Sequence, residues 1–237
     1  MKPAFDYHTH TVHSHGTGTV EQNVEAAISR GLSEIAISDH SVRHAFYAVR
    51  DVEAYLKDIS LMRDKYKDVI KVKSALELNL LSLDGELDIP RGYEKSFDLL
   101  LFGFHKLVRF AGPSSALFFM LPKSHSEKAV RRYTDAYLSA IRNNDVRIIT
   151  HIGYGLPVYK PEIAAAAAKK GVLLEINNKH PEFSPEELKE CLSTGVDFIL
   201  SSDAHRPQDV GLTPYSIQKA QTAGVPAGRI INAKEDA

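Results

Sequence analysis

With a single cysteine, Cys191, in 237 residues, no disulfide can form within the chain. There is no excess of either charge: 29 lysines and arginines against 30 aspartates and glutamates leave a formal net charge of −1 with histidine neutral. That balance argues against a general electrostatic grip on nucleic acid, which needs many cations along the phosphate backbone. A basic stripe interleaved with aromatic platforms is missing too, so strong nucleic-acid binding is not expected. No stretch reaches the roughly 18 apolar residues a membrane span requires. The opening Met1-Lys2-Pro3-Ala4-Phe5-Asp6-Tyr7-His8 holds no apolar core of signal-peptide length. Repeats, low-complexity tracts and interdomain linkers are absent as well. The expectation is one domain over residues 1–237, soluble and cytoplasmic, with no membrane partner and its oligomeric state open.

What the chain does have is a hydrophobic content of 43%, enough for a full core. Apolar runs at 4–8, 34–38, 69–78, 97–104, 146–151, 172–177 and 198–202 read as strands. Between them lie helix-like stretches at 20–30, 52–66, 127–143, 161–170, 185–193 and 214–223. Gly31, Gly171, Gly195 and Gly224 each follow a helical stretch, where a left-handed residue closes the last turn. Ser184 before Pro185, with Glu187 three residues on, is a helix start. Alternation of this kind predicts parallel strands with crossover helices, and runs such as Leu99-Leu100-Leu101-Phe102 fit strands buried on both faces. The fold class is α/β, with seven strands against the eight of the common barrel. One long connection, Lys106–Ser126, carries Leu117-Phe118-Phe119-Met120-Leu121. It reads either as a short inserted helix packed on the body or as a lid or dimer contact.

Histidines and carboxylates recur at the ends of these runs: His8 and His10 with His15, then Asp39-His40, Glu77, His105, His151, and Asp203 with His205. His8 and His10, two apart on an extended segment, leave from the same face. Functional residues of parallel α/β barrels gather at the carboxyl ends of strands. Ligands spread in this way make a site only when the chain closes into a ring. The mixture of nitrogen and carboxylate oxygen suits borderline divalent metals, with too many ligands for one ion. The residues therefore point to a multinuclear metal hydrolase.

The motifs Asp6-Tyr7-His8-Thr9-His10-Thr11, Ile37-Ser38-Asp39-His40, Leu76-Glu77-Leu78-Asn79, Gly103-Phe104-His105, Ile149-Thr150-His151, Leu174-Glu175-Ile176-Asn177-Asn178 and Ser201-Ser202-Asp203-Ala204-His205, in this order, resemble the PHP (polymerase and histidinol phosphatase) family. The likeness is strongest to its small stand-alone phosphoesterases with three metal ions. It implies a distorted seven-stranded β/α barrel resembling the TIM barrel. It further implies nine ligands: His8, His10, Glu77 and Asp203 on a first metal, Glu77 bridging to a second held by His105 and His151, and His15, His40 and His205 on a third. His13 competes with His15, although His15-Gly16 matches the family pattern better.

The resemblance implies hydrolysis of phosphate monoesters by a metal-activated hydroxide, with Glu77 and Asp203 as the catalytic carboxylates and three divalent ions as cofactors. Zinc leads among these, with manganese and iron as alternatives. Three such ions against two carboxylates leave a formal charge of about +4, which calls for a small phosphorylated substrate. Arg43 and Arg206 are the candidate contacts for a phosphate oxygen, although each also reads as a solvated loop residue. Asp39 and Asn177 read as supports for ligands. His44, His125 and His180 read as structural or surface histidines, with His44 and His180 also candidates for the mouth, and Cys191 reads as inert. Protonation of the leaving alcohol is open between Asp39, a ligand histidine and a metal-bound water. Rival functions are histidinol-phosphate phosphatase, phosphodiester or 3′-exonuclease cleavage, amide hydrolysis, and a non-catalytic scaffold.

Overall fold

The computed structural model describes residues 1–120 and 124–234. The chain runs β1 (Lys2–Pro3), β2 (Phe5–Asp6), α1 (Val20–Ser29), β3 (Glu34–Ile37), α2 (Val52–Lys65), β4 (Lys71–Asn79), β5 (Leu99–Gly103), α3 (Gly112–Met120) and α4 (Glu127–Asn143). It continues through β6 (Ile148–Ile149), α5 (Lys160–Lys170), β7 (Leu173–Asn177), α6 (Pro185–Ser193), β8 (Phe198–Ser201), α7 (Pro214–Thr222) and β9 (Ala233–Lys234). Strands β2 to β8 pair in chain order and all in parallel, giving the seven-stranded sheet expected.

The sheet curls into a distorted barrel with helices packed on its outer face, joining each pair of consecutive strands except β4 and β5, which are linked by an irregular segment. Outward-facing Ile35, Ile37, Leu76, Leu78, Phe102, Leu174, Ile176, Phe198 and Leu200 meet Val24, Tyr55, Tyr137, Ile163 and Leu188 of the helices in one buried cluster. Full burial of each large side chain contributes on the order of 1.5–3 kcal/mol. Tyr55 also anchors α2: its hydroxyl accepts from the Asp39 amide at 3.1 Å and reaches the carbonyls of Ile37 and Ala75 at 2.8 and 2.9 Å.

Helix ends follow the sequence. Ser184 and Glu187 form a reciprocal capping box at the start of α6, as Thr19 and Gln22 do at α1. Gly171 closes α5 at φ 68°, a conformation costly for a residue with a Cβ.

Between β8 and β2 the barrel closes differently. Asn232 takes the place of a ladder: its Oδ1 accepts from the Leu200 amide, and its Nδ2 donates to the carbonyls of Phe5 and Leu200, at 2.8–2.9 Å. Asp6 accepts from the hydroxyl and amide of Ser202 and from the Gly211 amide. Backbone bonding resumes only above, where His10 N–H donates to the Ala204 carbonyl at 2.8 Å and Ala204 N–H to the His8 carbonyl at 3.2 Å. Outside this seam β1 and β9 pair antiparallel, a two-stranded clasp the sequence did not signal.

The long connection contains α3, packed on the body. Phe119 is buried, with ring centroids 5.1 Å from Phe110 and 5.5 Å from Phe104. The expectation of a short inserted helix holds, although Leu121 lies outside the described residues. Among the described residues no helix is long and apolar enough to cross a membrane.

Candidate metal centre

Inward-facing residues of the strands change character along the barrel. The lower interior is a small apolar cluster of Tyr7, Ala36, Ala75, Leu99, Leu101, Ile148, Leu173 and Ile199. Towards the carboxyl ends, Glu77, Thr150, Glu175, Asn177 and Asp203 are buried instead. Period-two alternation sends Ala75 and Glu77, or Leu173 and Glu175, to the same face.

Glu77 is the hub. Its Oε1 lies 2.9 Å from His151 Nε2 and 3.2 Å from His105 Nε2. Its Oε2 lies 2.9 Å from His40 Nδ1, 3.3 Å from His8 Nε2 and 3.7 Å from His10 Nε2. Asp203 Oδ1 is 3.3 Å from His10 Nε2, 3.4 Å from His205 Nδ1 and 3.7 Å from His8 Nε2. The His15 ring stands 4.1 Å from His205 and 4.8 Å from His40, centre to centre. All nine sequence-predicted ligands therefore converge.

Three candidate groups overlap those the resemblance implied. Ligand atoms within 4.8 Å of one another form the sets His10–His15–His40–His205, His8–His10–Asp203 and His40–Glu77–His105. His40, expected with His15 and His205, also stands at Glu77. His10 is shared between two sets.

The donor set fits divalent cations on a physical criterion. His8 Nε2, both nitrogens of His10 and of His105, Nδ1 of His15, His40 and His151, and Glu77 Oε2 are buried without a hydrogen-bond partner among the described residues. Each such orphan costs about 1–3 kcal/mol. So many in one place make sense when their lone pairs serve another partner.

Electrostatics agree. Burial pushes the Glu77 and Asp203 carboxyls up, but the histidines around them, His8 foremost, hold both well below the usual carboxylate range. Burial, reinforced by neighbouring imidazoles, lowers His10 strongly and takes His15 to about 3. Burial lowers His40 to about 4, against the pull of Glu77, and also lowers His205. These rings are neutral at pH 7 and keep a lone pair for a cation. His8 is the exception: burial opposes its charge, but Glu175, Glu77 and Asp203 raise it well above the usual value.

Glu175 is the main residue sequence reasoning missed. Its Oε1 lies 2.6 Å from His8 Nδ1, and its Oε2 accepts from the His151 amide at 2.8 Å. A carboxylate only accepts, so Nδ1 carries the proton and His8 Nε2 is aimed at Glu77 and Asp203. The available signal was a lone carboxylate in the apolar run Leu173-Leu174-Glu175-Ile176. A third buried carboxylate lowers the formal charge expected from the family resemblance from about +4 to about +3.

Asn177 donates to Glu175 at 2.9 Å and to Asp203 at 3.2 Å, as a support should. Asp39 accepts from the Thr11 amide and hydroxyl and from Ser14, fixing the loop between His10 and His15. Both its oxygens are engaged there, although burial raises its carboxyl above the usual value. His151 and Asp203 both have positive φ, 27° and 52°. Backbone strain of this kind, of order 1–3 kcal/mol, clusters at functional sites. It lets His151 turn in beside Thr150, whose hydroxyl already meets Glu77 at 2.9 Å. Gly103 makes the room: a Cβ there would stand 2.4 Å from Thr150 Oγ1 and 2.8 Å from His151 Cε1.

Above the ligands opens a pocket of about 730 Å³, lined also by His44, Tyr47, Lys106, Leu107, Tyr154, Lys179 and His180. His180 Nε2 is 3.3 Å from Asp203 Oδ2, and His44 is buried at the wall, its ring 5.6 Å from His40. Both belong to the mouth rather than to a remote surface. The two arginines do not line it: Arg206 pairs with Asp209 at 2.8 and 3.0 Å, and Arg43 Nη1 reaches the Arg109 carbonyl at 3.3 Å. Neighbouring chain competes for each guanidinium, and the pocket's cations are Lys106 and Lys179. His13 pairs with Asp58 at 2.9 Å, leaving His15 in the ring. His125 is exposed. Cys191 is buried, which pushes its thiol up to about 12, as expected of an inert residue.

Clustered histidines and carboxylates at the carboxyl end of a parallel barrel define a metal-binding α/β barrel. The chain belongs to the PHP domain family, whose sequence profile matches residues 6–179. A probable phosphatase of Thermoanaerobacter sp. (strain X514) is 28% identical over 242 residues, covering 98% of this chain and 91% of that protein. A probable phosphatase of Shewanella baltica (strain OS195) is 32% identical over 187 residues, covering 78% of this chain and 65% of that protein. Among solved structures, histidinol phosphate phosphatase from Lactococcus lactis subsp. lactis Il1403, complexed with zinc, L-histidinol and phosphate, matches with a TM-score of 0.64 at 23% identity. That match covers 94% of this chain and 92% of that one. At this identity the likeness is one of fold.

Proposed function

We propose that the protein is a metal-dependent phosphatase that hydrolyses phosphate monoesters at a site for three divalent cations. The carrying observation is the convergence of buried, unpartnered ligand atoms around Glu77 at the base of an open pocket. Family membership and relatives named as probable phosphatases support the same reading. Bound divalent cations, zinc first and manganese or iron as alternatives, would supply a water acidic enough to attack at neutral pH and charge to hold the phosphoryl oxygens.

The chain's own residues do the rest. Glu77 presents its two oxygens to different histidines, and Asp203 presents one oxygen, Oδ1, to both His8 and His10; these carboxylates would hold the cations together with those rings. Glu175 and Asn177 hold these ligands in orientation. Lys106 and Lys179 at the wall bind phosphate oxygens. His180, held beside Asp203 and open to the pocket, donates the proton to the leaving alcohol. His44 is unsuited to that step, because burial lowers it to about 4.

The test is metal analysis of protein purified without chelator, combined with turnover of a phosphate monoester panel that includes histidinol phosphate and of a short oligonucleotide. Two to three bound divalent ions per chain and hydrolysis of monoesters over the oligonucleotide are expected. A protein that takes up no metal at saturating supply, or that cleaves no monoester when loaded, overturns the proposal.

A further inference from the structure

Strand β7 ends at Asn177, and the segment after it, 178–182, carries Lys179 and His180 to the pocket. A chain leaving a sheet loses its ladder, so its backbone groups turn to water or to side chains. Here they turn to lysines of two neighbouring helices. Lys219 of α7 donates to the carbonyls of Asn177 and His180 at 2.6 and 2.7 Å, and pairs with the Glu182 carboxylate at 3.1 Å. Lys160 of α5 donates to the Glu182 carbonyl and pairs with Glu187 at 2.7 Å.

An ammonium carries three protons, and Lys219 has three partners, so none is left for a substrate oxygen. Glu182 is engaged as well: its Oε1 accepts from the Asn177 amide at 2.8 Å. His180 is thereby gripped on both sides. Its amide donates to Asn177 Oδ1 at 3.0 Å, while its carbonyl accepts from Lys219. Asn178 adds a second tie to α7, its Oδ1 accepting from the Tyr215 and Ser216 amides at 2.9 and 3.3 Å. The ring so placed has Nε2 3.3 Å from Asp203 Oδ2.

Fold stability is a poor reason for the pair. The Glu182 side chain is fully buried, and no other lysine or arginine ion pair among the described residues has a buried acid. Taking an ammonium and a carboxylate out of water carries a penalty that their attraction often fails to recover. Apolar side chains of similar volume commonly serve a fold as well. What they cannot do is draw two carbonyls and an acid to one point. The carbonyls of residues 177 and 180 meet at a single nitrogen, which fixes the turn between them.

We infer that Lys219 is a positioning residue for protonation of the leaving group. Clamped by Glu182, it fixes the backbone of His180 and so keeps the imidazole beside Asp203 in the pocket. As the bond between phosphorus and the ester oxygen breaks, a proton passes from His180 to that oxygen and the alcohol leaves neutral. The oxygen that replaces it on phosphorus comes from water, and the ring recovers its proton from solvent. Lys219 gives up no proton. The role rests on the phosphatase reading with His180 as proton donor.

Leaving groups separate the possibilities. Butyl phosphate must expel an alkoxide, which needs a proton, whereas p-nitrophenyl phosphate expels a stabilised phenolate, which does not. Both esters are assayed with the metal-loaded parent, His180→Gln, Lys219→Met and the double variant, with bound metal counted in each. Lys219→Met should lower kcat for butyl phosphate about 100-fold, the cost of misplacing a reacting group by about 1 Å. Its KM, metal content and turnover of p-nitrophenyl phosphate should be nearly unchanged. His180→Gln should show the same split, and adding Lys219→Met to it should cost little more, because residues acting as one unit are not additive. Lys219→Gln should show the split too, and carries the test where the methionine variant does not fold. An equal fall on both esters, or no fall on either, in the Lys219 variant that folds overturns the inference while a split in His180→Gln leaves the proton donor standing. So does a further large loss in the double variant. No split in His180→Gln defeats the proton-donor reading and takes the role of Lys219 with it; failure of the loaded parent to cleave either ester defeats the phosphatase reading itself.

Discussion

Low in the barrel, β4 to β8 fill the interior with Ala75, Leu99, Ile148, Leu173 and Ile199. Two or four residues later, the same five strands offer Glu77, Gly103, Thr150, Glu175 and Asp203. The spacing is even in every case; within β4, β5 and β7 the pleat itself delivers both sets to the same space, while Thr150 and Asp203 lie just past β6 and β8, Asp203 at a positive φ. Yet the lower set is satisfied by contact alone, whereas at the upper layer Glu77 Oε2 and the nitrogens of the surrounding histidines lack hydrogen-bond partners among the described residues. The floor gains stability from burial and supports a layer that burial penalises. A site of this kind carries a stability cost that function requires, which is common where activity needs strained or unpaired groups.

That contrast can be broken most severely at Glu77. Glu77→Ala should lower kcat/KM by more than about 100-fold, beyond the range for losing an outer support, while far-ultraviolet circular dichroism stays unchanged. Retained turnover would remove Glu77 from the centre of the site. Next in size is the floor. Leu173→Ala should cost about 2–5 kcal/mol in denaturant unfolding, with turnover per folded molecule nearly unchanged. An equal fall in turnover would show that floor and site are not separable.

Glu175→Gln tests the boundary between the two layers. The amide leaves the packing volume nearly intact but can no longer neutralise His8, so metal affinity or kcat/KM should fall about 10–100-fold. A titration followed by inductively coupled plasma analysis reads the affinity directly. The smallest effect is expected at the seam. Asn232→Ala strips partners from the Leu200 amide and from the carbonyls of Leu200 and Phe5, at roughly 2 kcal/mol of unfolding free energy. Unfolding unchanged from the parent would mean that water replaces the amide there.

The difference between the two layers also explains what the sequence could disclose. Continuous apolar runs mark strands whatever their tertiary neighbours, so all seven parallel strands were legible, as were helix ends punctuated by Ser184, Pro185 and Gly171. Boundaries were less so: the run 146–151 yields only Ile148–Ile149 as strand, because the turn at His151 ends the ladder early. The pairs His8/His10 and Asp203/His205 announce themselves by spacing, and His15 was preferred to His13 before the structure placed it in the ring. Glu175 was not seen as a support, because a carboxylate within an apolar strand has no local signature of its partner 167 residues away. The phosphate contacts went to Arg43 and Arg206 because adjacency to ligands was the only guide. Which loop cation turns inward depends on competitors such as Asp209, which no spacing rule contains. Strands β1 and β9 were missed for a related reason: two residues at each end define a strand only through each other.

The seam closed by Asn232 and Asp6 has a consequence for how the ends of the molecule are joined. His8 and His10 follow the strand on one side of it, and Asp203 follows the strand on the other. Any ion shared by these three groups works as a rivet across the joint where the backbone ladder is thinnest. Emptying that position would be felt as faster breathing of the first and last turns of the chain, so loading state and mechanical closure of the ring are two readings of one bond.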